Sequence, residues 1–471
     1  MQKKQIFIFF LLYISTVFQI EAQNELKTLN AEQVLALVRQ FHPIARQTDI
    51  GIEKAQAEIL MSRAAFDPFL SNYVTKKTVN GVDYYDYTSA ELKIPTWYAV
   101  DVYAGIENLS GNRFDPSETN GKTNYLGVNI PLVKNLLIDK RRAFLRQAKI
   151  YKTMSAIEQR ATINDLLLDA IEAYWLWVKA YQTFKIVENN VKINEKRLNF
   201  VKMSFINGER PAIDTVEATT QLQTFQLQQN EQYLAFQNAG LQLSAYLWQS
   251  NNTPYELPEN VIPQSDWDNA NQFVNFNVSL SNLLAIAAQS HPDLAIYNYK
   301  LDILAIDKKV KFQELLPKVD FRYNLLGKGY NVLKTTTNSP LFENNFQYGL
   351  KFEMPLFLSQ GRGAYQQAKL KIEEMSLNQI QKRQQIDIKI KSYYNEYTTL
   401  KNQIALQNNA FDNYQKLVKA EESRFSNGES SLFLINSREN KALEALEKLI
   451  ALKTKYYKSL YALQWSAGLL R

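Results

Sequence analysis

Leu132 to Asn207 contains neither glycine nor proline, and it closes on Asn207-Gly208-Glu209-Arg210-Pro211. At about 1.5 Å per residue, a helix over most of that run is roughly 100 Å long. This is far beyond the helices of an ordinary globular core. A second breaker-free run, Ala364 to Asn427, ends on the same tripeptide, Asn427-Gly428-Glu429. The 220 positions between the two turns also separate Arg142, Gln147, Ala148 and Lys149 from Arg362, Gln367, Ala368 and Lys369. One long helix is therefore written twice.

Working outward, each copy has the same preamble. Leu29 to Gln40 has a helical apolar pattern that stops at His42-Pro43, and Leu280 to Ser290 does the same before His291-Pro292. Pro68 and Pro317 follow, and both pairs of prolines are 249 residues apart. Two landmarks at one offset indicate a tandem duplication. After each long run the turn glycine suits the left-handed residue that ends a helix. A second helix then returns, over Asp214 to Trp248 and over Leu432 to Gln464. Within the first long helix Leu167, Ala170, Tyr174, Trp177, Tyr181 and Phe184 step by three and four, with Ile171, Val178 and Val187 on an adjoining face. Such a helix packs on both flanks.

Between Pro68 and Pro131, and between Pro317 and Pro355, the period falls to two. Phe346, Tyr348, Leu350, Phe352 and Met354 alternate with polar neighbours, as do Phe321, Tyr323 and Leu325. Leu126, Val128 and Ile130 form a shorter version, and Tyr98 to Ile106 another. The first region is longer, with Tyr84-Tyr85-Asp86-Tyr87 and a strand at Ala90, Leu92 and Ile94 forming an extra hairpin that the pattern does not place. Ser110 to Lys122 reads as an exposed turn. A soluble sandwich and a membrane barrel both produce this alternation; the aromatic weight of the apolar face favours the barrel.

Composition narrows the class. Lys3 and Lys4, the apolar run Ile6 to Phe18 and Ala22 read as a secretory signal over residues 1–22. The rest divides into a first repeat, 23–250, a Pro- and Asn-rich linker, 251–277, and a second repeat, 278–471. There is no cysteine, so thiol catalysis and thiolate metal sites are excluded. The net charge of +7 comes from Lys and Glu interleaved along helices, a solvated surface that calls for no nucleic acid. No nucleotide-binding Gly-rich loop, Gly-x-Ser-x-Gly or His-Glu-x-x-His occurs, so an enzyme is not expected and no cofactor is implied. His42 and His291, the only histidines, hold equivalent places before proline, where ending a helix is a more economical role than binding metal. The pairs Glu373-Glu374 and Glu421-Glu422 read as solvated helix faces.

The ordered, twice-repeated set of Pro-to-strand, Pro-Leu-to-helix and Gly-capped transitions resembles the TolC family of outer-membrane efflux proteins. The resemblance implies a mostly helical fold with a membrane β-barrel part. In it, duplicated long helical hairpins form a trimeric α-barrel, and about four strands per protomer form a 12-stranded outer-membrane barrel. It implies a passive exit duct of a tripartite efflux or type I secretion system, set in outer-membrane lipid and extending into the periplasm. A periplasmic adaptor and an inner-membrane pump are the implied partners of the homotrimer. Carried onto this chain, the tips that meet the adaptor are Asn207, Gly208, Glu209, Asn427, Gly428 and Glu429. Asp214, six past Gly208, is the candidate for an acidic periplasmic constriction, whereas Leu434 and Ser437 offer no acid in the second repeat. Asp214 also suits the helix N-terminus on which it lies. The competing reading is a periplasmic coiled-coil scaffold without a pore. The exported cargo is not written in the sequence.

Overall fold

The computed structural model describes residues 27–111, 119–264, 279–338 and 345–470. The signal segment 1–22, part of the Ser110–Lys122 turn and residues 265–277 of the 251–277 linker lie outside the described residues. The elements in chain order are β1 (Lys27–Leu29), α1 (Ala31–Phe41), α2 (Pro43–Arg63), β2 (Phe69–Val79), β3 (Val82–Pro95), β4 (Asp101–Ser110) and β5 (Gly121–Pro131). Then come α3 (Lys140–Ile206), α4 (Ala212–Ser244), β6 (Val261–Pro263), α5 (Leu280–Ser290), α6 (Pro292–Gln313) and β7 (Lys318–Lys328). The chain finishes with α7 (Val332–Asn338), β8 (Phe346–Glu353), α8 (Ser359–Ser426) and α9 (Leu432–Ser466). The described residues form two compact units: those within 47–161 and 287–387, and those within 27–46, 162–286 and 388–470.

The first unit holds one antiparallel sheet of six strands in the order β2-β3-β4-β5-β7-β8. The four strands expected for a barrel, β4, β5, β7 and β8, lie side by side in it. The extra hairpin is β2–β3, and it extends the same sheet from the edge of β4. Its turn is Asn80-Gly81, with φ of 51° and 78°, the left-handed pair that matches the twist of a two-residue hairpin. Thr96 to Val100 turns β3 into β4, and there Trp97 stacks on Phe66 with ring centroids 4.0 Å apart.

The long helices begin where a cap allows. Leu132 to Ile138 is not helical, contrary to the breaker-free reading; α3 starts after Asp139, whose Oδ1 accepts from the Arg142 N–H at 2.8 Å. An acceptor at that point satisfies one of the donors a helix start leaves open. In the second copy α8 begins earlier than expected and takes in Gly361 and Gly363. A side chain at Gly361 would meet the Glu314 carbonyl oxygen at 2.7 Å, so a close approach explains that glycine.

In the second unit, Asn30 caps α1 reciprocally with Gln33, a capping box that satisfies two open donors. Leu167, Ala170, Tyr174 and Trp177 are buried as the three-and-four stepping predicts, and Ile171, Val178 and Val187 are buried on the adjoining face. Tyr181 and Phe184 pack on Phe236, and Trp175 lies flat on Tyr457 at 4.4 Å. β1 pairs in parallel with β6, and the Tyr174 hydroxyl donates to the Leu29 carbonyl, tying the start of the described chain to this core.

Candidate functional site: hairpin turns and strand wall

The two hairpin turns are built alike. Gly208 has φ +75° and its N–H donates to the Phe205 carbonyl, while the Glu209 N–H reaches back to Ser204 at 2.8 Å. Gly428 has φ +79° and bonds Phe425, while Glu429 bonds Arg424 at 2.9 Å. Both are Schellman closures, in which a left-handed residue lets two successive N–H groups cap the last turn. Asn207, Gly208, Glu209, Asn427, Gly428 and Glu429 are all exposed. Ile206, Ile213 and Phe433 beside them are also exposed, an apolar rim around a polar turn.

The turns differ in what lies just past the glycine. Arg210 places its guanidinium 3.8 Å over the Phe425 ring and donates Nη2 to the Phe425 carbonyl at 3.0 Å. Its Nη1 donates to Asp214 Oδ2 at 3.3 Å. One residue thus ties the first hairpin to the second and also engages the constriction candidate. Asp214 sits in the first turn of α4, and its carboxylate is paired. In the second repeat the position of Arg210 is Ser430, whose hydroxyl donates to Glu421. Glu421 is buried and lies 4.0 Å from Arg438, so the solvated-face reading fails for it. Its neighbour Glu422 is exposed, as expected.

Above the turns, Arg197 of α3 makes a two-pronged ion pair with Glu439 of α9. Both side chains are largely buried, and Glu422 Oε1 stands 3.8 Å from the same guanidinium. Arg197 and Arg210 escaped the sequence reading because their partners lie 242 and 215 residues away. The signal available locally was the basic residue directly after Gly-Glu in one repeat and its absence in the other.

Both histidines end helices and start the next. Nδ1 of His42 accepts from the Ile44 N–H, and Nδ1 of His291 from the Asp293 N–H, each at 3.2 Å. Burial holds the His42 imidazole below its usual pKa, partly offset by its bond to the Ala245 carbonyl.

The sheet has two unlike faces. Leu70, Leu92, Ala104, Leu126, Leu325 and Phe346 are successive cross-strand partners, one apolar residue from each of the six strands. On the opposite face the Tyr125 hydroxyl donates to Glu91, Arg322 lies 3.7 Å from the same carboxylate, and Tyr87 donates to Glu107 at 3.0 Å. Gly105 makes room for this arrangement, since a Cβ there would fall 2.3 Å from the Tyr125 ring. Tyr73, Val74, Tyr348, Leu350 and Phe352 on the two edge strands are all more than half exposed. Among the described residues no helix is long and apolar enough to cross a membrane.

Residues 283–469 match the model of the outer membrane efflux protein family. That match spans most of the second repeat. The efflux-protein fold extends over the first repeat as well. CusC, whose crystal structures concern the conformational changes accompanying folding and transmembrane channel formation, superposes with a TM-score of 0.67 at 14% identity, over 93% of this chain and 91% of its own. The Campylobacter jejuni CmeC outer-membrane channel gives 0.63 at 16%, over 93% and 85%. VceC of Vibrio cholerae gives 0.64 at 13%, over 93% and 96%. No curated protein matches. The likeness drawn from the two repeats therefore holds: the second repeat matches the efflux-protein model, and the chain takes the fold of outer-membrane channels over nearly its whole length.

Proposed function

We propose that this chain is an outer-membrane efflux protein, extending into the periplasm, that acts as a passive exit duct. Three copies would join their sheets into a membrane barrel and their helical hairpins into a periplasmic tunnel. The observation that carries this reading is the apolar row running through all six strands, backed by a polar face of hydrogen-bonded Glu, Arg and Tyr. In a soluble sandwich a core would cover that apolar face; here Leu70, Val74, Tyr348, Leu350 and Phe352 on it are more than half exposed, which suits lipid outside and water inside. The paired burial along α3 supports helices flanked on both sides, as a closed ring requires.

The exposed turns would meet a periplasmic adaptor linked to an inner-membrane pump, with Asn207, Gly208, Glu209, Asn427, Gly428 and Glu429 at the contact. The apolar rim of Ile206, Ile213 and Phe433 favours a partner there, because exposed apolar clusters rimmed by polar groups mark interaction sites. We place the periplasmic constriction at Asp214. Its carboxylate would act as a pair with Arg210, so a ring of three would repel itself less than three bare carboxylates. Planar bilayers test the duct: purified protein in detergent should produce stable single-channel conductance. Release by osmotic shock together with a silent bilayer would favour the pore-free scaffold.

A further inference from the structure

The four strands expected per copy account for β4, β5, β7 and β8, and leave β2–β3 as an apparent addition. Two features join that hairpin to the wall. Leu70 and Leu92 continue the apolar row from Ala104 without a break in register. Glu91 of β3 is the acceptor on the polar face that Tyr125 of β5 addresses across β4, and Arg322 of β7 lies 3.7 Å from it across β4 and β5. A flap laid against a finished wall would share one face with it; β3 shares both.

Resting on the duct reading, we propose that β2–β3 is part of the membrane wall. Each copy then contributes six strands, and three copies close a barrel of eighteen, with β8 of one copy pairing β2 of the next. The topology permits this closure. The sheet is antiparallel throughout and has an even number of strands, so its two edges run in opposite directions. Identical copies can therefore pair edge to edge in the antiparallel sense around a ring. Both edges begin or end at the same level of the fold, β2 directly after Pro68 and β8 just before Pro355. Both strands are solvent-exposed along nearly their whole length, as unpaired edges awaiting a partner must be. Because barrel diameter grows roughly in proportion to strand number, the lumen would be about 1.5 times as wide as that of a 12-stranded wall. Walls of 16–18 strands leave an open aqueous channel in porins.

The chain has no cysteine, so introduced pairs report alone. Leu350→Cys on β8 is combined in turn with Leu70→Cys, Asn72→Cys or Val74→Cys on β2, and separately with Val102→Cys, Ala104→Cys or Ile106→Cys on β4. Cells are oxidised and outer membranes run on non-reducing gels. The proposal expects covalent dimers and trimers in the β2 series and none in the β4 series. Crosslinks between copies in the β4 series would overturn it, showing four strands per copy with the hairpin displaced, while the barrel itself stands. Crosslinks in neither series would overturn both. A second measurement guards against failed assembly of double variants. A water-soluble maleimide should label Thr75→Cys and spare Val74→Cys, as it should label Lys351→Cys and spare Leu350→Cys. Equal labelling on β2 with alternation preserved on β8 refutes the hairpin's place in the wall; equal labelling on both strands refutes the barrel.

Discussion

Replacing Arg210 by alanine should loosen the two hairpin turns from one another. The side chain makes a cation–π contact with Phe425, a hydrogen bond to the Phe425 carbonyl and an i,i+4 pair with Asp214. Such contributions are about 0.5–1 kcal/mol for the ring contact, about 1.5–3 for the charged hydrogen bond and roughly 0.3–0.5 for the pair. They are not additive, and a net loss of about 2 kcal/mol corresponds to a roughly 30-fold shift in local opening. Hydrogen exchange of peptides covering 203–214 and 422–432 should accelerate by about that factor, while the aromatic core around Trp175 and Tyr457 keeps its protection. In bilayers the variant should spend more time in larger conductance states. Asp214→Ala is the control, because it removes only the weakest of the three contacts and the favourable charge at the helix start; it should change exchange several-fold less. An Asp214→Ala effect equal to that of Arg210→Ala, or unchanged exchange in Arg210→Ala, would refute the assignment of the tie to Phe425.

Glu209→Lys with Glu429→Lys should impair transport while leaving a folded oligomer, checked by export assays beside native gels. Arg197→Met strands Glu439 in a largely buried site and should cost about 3–5 kcal/mol, read as a lowered denaturation midpoint; Arg197→Met with Glu439→Leu should recover much of it. His42 gives a pH dependence. Its folded-state pKa lies below the ordinary 6.5, so the unfolded chain binds more protons as pH falls. The stability it supplies is complete above 6.5 and is lost as pH drops through the folded value, and His42→Asn, which retains an acceptor for the Ile44 N–H, should flatten that part of a melting-versus-pH curve.

The helical half of the fold is readable from the chain because its determinants are local or repeated. Leu280 to Ser290 is a helix with the bounds its pattern indicates, and the two Asn-Gly-Glu turns close as their glycines require. Errors arose where absence stood in for a signal. Leu132 to Ile138 lacks glycine and proline yet stays irregular, because Asp139 and not Pro131 supplies the cap. Gly361 lies inside a helix that the breaker rule would have ended. The extra hairpin was unplaced although Val79-Asn80-Gly81-Val82 is a strong local hairpin signal; its seat beside β4 depends on partners distant in sequence. At the turns, the exposed positions were legible from the repeat, whereas Arg210 and Glu421 were not. The role of Arg210 is set by Phe425 in the other repeat, and that of Glu421 by Ser430 and Arg438 beyond its own hairpin turn.

The notch at Gly105 has a consequence for how such a chain can drift through evolution. Tyr125 occupies the space that any side chain at 105 would need, and its hydroxyl carries the bond to Glu91. The two positions are therefore one heritable unit. A lineage that gained a methyl group at 105 would have to shed the ring at 125, and with it the polar stitch that joins β5 to β3.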